Sequence, residues 1–117
     1  MTTGLTCTWT APEEGRARVT ITGDLEFATT GTLLRLVTHR LAGRPGVREV
    51  HLDCSELGFC DSSGLSELMK LRRVVTDAGA RLHLDHRPPA LERLLARTGT
   101  AAYLTGEAAG SRARRDS

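Results

Sequence analysis

Hydrophobic positions along this chain change their spacing several times, and the changes predict the elements. Leu5 to Trp9 alternates apolar and polar residues, the pattern of a short half-buried strand, and Ala11-Pro12-Glu13-Glu14-Gly15 reads as a turn. A second alternation around Ala17, Val19 and Ile21 predicts a strand from Arg16 that stops at Gly23. Thr29 or Thr30 then caps a helix to about Ala42, because Leu33, Val37 and Leu41 recur every four residues while Leu34 and Leu36 broaden the stripe. Gly43-Arg44-Pro45-Gly46 ends it, and Val47, Val50 and Leu52 mark a third strand.

A longer helix is expected from about Ser63 to Ala78. Leu65, Leu68, Leu71, Val75 and Ala78 face one side, Met69 and Val74 lie at its edges, Arg72 falls within it, and Gly79 ends it. Arg81 to Leu84 reads as a fourth strand. Pro88-Pro89 opens a last helix through Leu91, Leu94 and Leu95 that stops near Gly99, and Ala101 to Leu104 reads as a short final strand. The order β-β-α-β-α-β-α-(β) predicts a single α/β domain. Its mixed sheet has parallel strands where a helix crosses over and carries helices packed on it.

At 117 residues the chain is long enough to bury a core without disulfide or metal support. Trp9, Phe27, Phe59 and Tyr103 are the only aromatics, so the core must be aliphatic and a base-stacking surface for nucleic acid is not expected. Net charge is +2, with much of the excess in the Arg-rich end. Residues 109–117 are expected to form a solvated basic tail beyond a domain at residues 1–108. Cys7, Cys54 and Cys60 are odd in number and unpaired by spacing. Without a signal peptide or a membrane-length apolar run, they imply reduced thiols in the cytoplasm and no membrane partner.

The chemistry concentrates in Phe59-Cys60-Asp61-Ser62-Ser63-Gly64-Leu65, where an apolar strand gives way to an amphipathic helix. Asp and Ser accept bonds from the unpaired N–H groups of a helix start, and the same positive end accommodates a phosphate. The residues alone leave two readings open, a helix cap or a cap carrying a modifiable serine. His39, His51, His83 and His86 show no metal-ligand spacing, and no Gly-rich phosphate loop follows a strand, so neither a metal nor a cofactor is expected. A serine hydrolase would need a Gly-x-Ser-x-Gly elbow and a base, and the chain offers neither.

Val50-His51-Leu52-Asp53 leading into Asp61-Ser62-Ser63-Gly64-Leu65 resembles the signature of the STAS domain, and more narrowly that of bacterial anti-sigma factor antagonists. Gly23-Asp24-Leu25-Glu26 followed by Thr29, and Leu94-Leu95-Ala96-Arg97-Thr98-Gly99, resemble the family's earlier loop and late turn. The resemblance implies a non-enzymatic binding protein that releases a sigma factor by occupying its anti-sigma factor. That partner is an ATP-dependent serine kinase, whose phosphate would fall on Ser62 and abolish binding until a serine phosphatase removes it. Asp61, Ser63, Gly64, Glu26, Thr29 and Met69 are then the expected partner-binding residues. The alternative is an unphosphorylated scaffold subunit of a lipid-transport or stress-sensing assembly. Two positions depart from the family pattern: Glu26 where Asp is usual, and Phe27 where a polar residue is usual. Phe27 is expected to anchor in the core.

Overall fold

The structure is a computed structural model that describes residues 4–105; the expected basic tail lies outside them. Four strands form one sheet in the order β1 (Leu5–Glu13), β2 (Arg16–Leu25), β3 (Glu49–Cys60), β4 (Arg81–Asp85). The β1–β2 pair is antiparallel, and β2–β3 and β3–β4 are parallel. The intervening helices are α1 (Thr32–Ala42) and α2 (Ser62–Asp77), followed by α3 (Pro89–Thr98) and α4 (Ala101–Thr105).

One sheet face is apolar. Val19, Ile21, Val50, Leu52, Leu82 and Leu84 point into it and meet Leu33, Val37, Leu68, Leu71, Leu91 and Leu95 from the helices in one cluster. Residues on the other parity of the same strands, including Arg18, Thr20, His51, Asp53, His83 and Asp85, form a polar face.

Several expectations change. The Ala11–Gly15 turn is mostly strand: β1 runs on to Glu13 across a bulge between Thr10 and Glu13. The bulge falls on an edge strand, where Pro12 costs no ladder bond. Gly23 does not end β2, which continues to Leu25. Its φ of 114° and the Gly4 carbonyl, which a Cβ there would meet at 2.2 Å, explain the glycine without a break.

The third strand is twice as long as Val47–Leu52. It bulges where Asp53–Glu56 faces Thr20–Thr22 and again where Leu57–Cys60 faces Gly23–Leu25. The inward positions therefore run Val50, Leu52, Cys54, then Leu57 and Cys60, and the period of two is lost after Cys54.

The last element is a correction of type. Ala101–Thr105 is helical, with Leu104 N donating to the Thr100 carbonyl at 3.0 Å. Ala and Leu favour helix, and a segment this short carries no decisive periodicity. Arg72, which the pattern put inside the buried stripe of α2, is half-buried and lies 4.6 Å over the ring of Tyr103. Met69 and Val74 flank the stripe, half-buried against the core.

Candidate functional site

Leu25 and Cys60 pair at the end of the sheet, so both sequence motifs emerge side by side. The Asp24 carboxylate accepts the Phe59 N–H at 2.9 Å, and the Leu25 carbonyl accepts the Asp61 N–H at 3.2 Å. Leu25 also dictates Gly64. A Cβ at residue 64 would sit 2.2 Å from the Leu25 carbonyl oxygen, so the close backbone approach this buried glycine permits is to its own chain.

Asp61 is the N-cap of α2 and its carboxylate accepts the Gly64 N–H at 3.0 Å, a contact that stabilises a helix by about 1 kcal/mol. Ser62 follows as the first helical residue with its side chain exposed, and Ser63 is half-buried. The Cys60 thiol is pushed up to about 11, first by burial and then by the neighbouring Asp61 charge. Burial does the same to Cys7, at about 11, and to Cys54, at about 12, which disfavours the reactive thiolate at all three.

The loop between β2 and α1 folds as a single 3₁₀ turn, Phe27–Thr29. Glu26 is its N-cap, in a reciprocal box in which the Glu26 N–H donates to Thr29 Oγ1 at 3.1 Å. Thr29 Oγ1 in turn donates to the Asp24 carbonyl at 2.8 Å. Thr29 therefore ties the loop internally, and neither it nor Thr30 caps α1. The N-cap of α1 is Gly31.

Glu67 supplies the missing cap, a role that sequence reasoning missed. Its side chain is buried in α2, yet its two oxygens accept the N–H of Gly31 at 3.1 Å and of Leu34 at 2.9 Å. A carboxylate across a helix N-terminus also complements the helix dipole. The spacing signals its burial, because Glu67 lies three residues after Gly64 and four before Leu71, inside the buried stripe, but not the partner it caps.

Phe27 overturns the core expectation. It is 79% exposed, because the 3₁₀ turn projects it away from the sheet. With Thr30, Gly31 and Leu34 on one side and Ser62, Ser63, Ser66 and Lys70 on the other, it walls a groove of about 440 Å³ floored by Glu67. Met69 does not line this groove. The site thus combines an exposed aromatic, an exposed hydroxyl at a helix start and a floor tied by hydrogen bonds to the start of α1.

The chain is thus a single α/β domain whose antiparallel-then-parallel sheet delivers this helix-start motif to one end. The family model described as "Mlab, STAS domain" matches residues 10–106, and the chain belongs to the STAS domain family. An anti-sigma factor antagonist from Mycobacterium paratuberculosis superposes with a TM-score of 0.69 at 20% identity, covering 86% of this chain and 82% of that one. The antagonist SpoIIAA in its unphosphorylated form gives 0.61 at 14% identity, with 80% and 81% covered. The phosphorylated Bacillus form gives 0.59 at 14%, with 82% and 86% covered. The murine anion transporter Slc26a9 contains the same fold, with a TM-score of 0.70 at 16% identity over 85% of this chain and 19% of the transporter. Among the described residues of this chain, no helix is long and apolar enough to cross a membrane.

Proposed function

We propose that this protein is an anti-sigma factor antagonist whose binding to a kinase-type anti-sigma factor is switched off by phosphorylation of Ser62. The observation that carries the reading is the exposed Ser62 hydroxyl at the first position of α2, bordering a groove whose other wall is the exposed Phe27. A kinase can reach such a hydroxyl without opening the core.

Phosphate at Ser62 adds a charge of about −1.5 to −2 with strong acceptor oxygens. First-turn N–H groups have no intrahelical partner, and Asp61 takes that of Gly64, so those of Ser62 and Ser63 serve the phosphate. The fold is retained. Binding is lost instead, because a dianion beside Asp61 must be desolvated against a partner surface matched to a neutral hydroxyl. Glu26, Thr29 and Gly64 act by holding the loop and helix in place, whereas Phe27, Ser62 and Ser63 meet the partner. A serine phosphatase completes the cycle.

Ser62→Ala is expected to keep the fold and the partner affinity but take no phosphate, and Ser62→Asp to lose most binding. Ser63→Ala serves as the control that is still phosphorylated. Equal labelling of Ser62→Ala and the unaltered chain overturns the site.

A scaffold role in a transport assembly is supported by the occurrence of this fold inside a transporter. Co-purification separates the two readings, since one recovers an anti-sigma factor kinase and the other a transporter subunit.

A further inference from the structure

The polar face of the sheet, on the side away from the helices, carries a cluster that the proposed switch does not use. Parallel pairing sets Glu49 beside Arg81, His51 beside His83 and Asp53 beside Asp85. The two imidazoles stack with their centres 4.3 Å apart and their planes inclined by 11°. His51 Nδ1 lies 2.9 Å from the Asp85 carboxylate, a contact that places a hydrogen on Nδ1 and, in the neutral imidazole, leaves the Nε2 lone pair free. That Nε2 is buried and has no hydrogen-bonding partner among the described residues. His83 Nε2 contacts the Glu49 carboxylate directly. The donor atoms offered by Glu49, His51 and His83 all lie within 4.8 Å of one another.

An unpaired buried acceptor costs free energy, and here it is held in place by a carboxylate behind the ring. Two imidazoles and one carboxylate, with a second carboxylate fixing one imidazole's tautomer, form the donor set of a zinc-class cation. We propose that Glu49, His51 and His83 bind one divalent transition cation of this class, with Asp85 as the positioning residue for His51. On binding, the His83 ring turns out of the stack toward the same ion as His51 and takes the tautomer with its hydrogen on Nδ1, the Nε2 hydrogen being exchanged there through solvent, so that the Nε2 lone pairs of both rings fill metal coordination positions. A solvent molecule completes a tetrahedron. Glu49 and Asp85 together balance the 2+ charge, and the cation bridges β3 to β4.

Zinc chloride titrated into the full chain by calorimetry tests this, with cobalt(II) absorption as a second readout. The expected result is one zinc per chain, a raised melting temperature, and a tetrahedral cobalt spectrum without a thiolate charge-transfer band. His51→Gln and His83→Gln should each weaken binding by more than about 100-fold, and Asp85→Asn by about 10- to 100-fold. His39→Gln, on exposed α1 surface, should leave it unchanged. Glu49→Gln provides a further ligand variant should a histidine variant fold poorly. Absence of saturable one-to-one binding, affinity retained in His83→Gln, or a thiolate band from the cysteines would each overturn the assignment.

Discussion

Glu67→Ala is expected to unfold the protein more easily by about 3 kcal/mol. The carboxylate makes two charge-assisted bonds to the start of α1, at 3.1 and 2.9 Å, each worth about 1.5–3 kcal/mol. Its interaction with the helix dipole adds about 0.3–1 kcal/mol. Against these stands the relief of no longer burying an ionised side chain, which brings the expected total to the lower end. Glu67→Gln keeps one acceptor oxygen but turns its amide donor toward the other backbone N–H, so roughly half the loss, about 1–2 kcal/mol, is expected. Urea unfolding monitored by circular dichroism measures this as a shift in midpoint at constant slope. Hydrogen exchange locates it, because the Gly31 and Leu34 amides should lose protection before the strands do. A loss below about 0.5 kcal/mol in Glu67→Ala, or unchanged protection of those two amides, would refute the capping role.

Gly64→Ala should destabilise by about 1–3 kcal/mol, read from thermal unfolding, since its Cβ meets the Leu25 carbonyl and backbone must shift. Phe27→Ala should leave stability within about 0.5 kcal/mol, yet weaken partner binding about tenfold or more in a calorimetric titration, because the ring is exposed. Burial raises Cys7 and Cys60 to about 11 from an ordinary 9.0. At pH 8 they should therefore hold about 100-fold less thiolate than a free cysteine. A thiol reagent should modify the native protein slowly, faster as pH rises, and rapidly only after denaturant is added.

Helical spacing was readable because Leu33, Val37 and Leu41, or Leu65, Leu68 and Leu71, repeat without interruption, and the structure buries all six. Strand ends were not, because bulges in β1 and β3 insert residues that break the alternation. The cap at Asp61 is local and could be read, whereas the cap on α1 comes from Glu67, more than thirty residues away, and depends on how two helices pack. Phe27 was misplaced because a large aromatic defaults to the core, and a single 3₁₀ turn reverses its direction. Glu49, His51 and His83 carry no spacing signal, since strand register, not sequence proximity, brings them together.

Mass spectrometry of the full chain after incubation with ATP and the host's kinase-type anti-sigma factor tests the central claim most directly. A single phosphate on Ser62, accompanied by release of the antagonist from that partner, is the predicted result. Phosphate on another residue, or a chain that stays unmodified while bound to an active kinase, would contradict it.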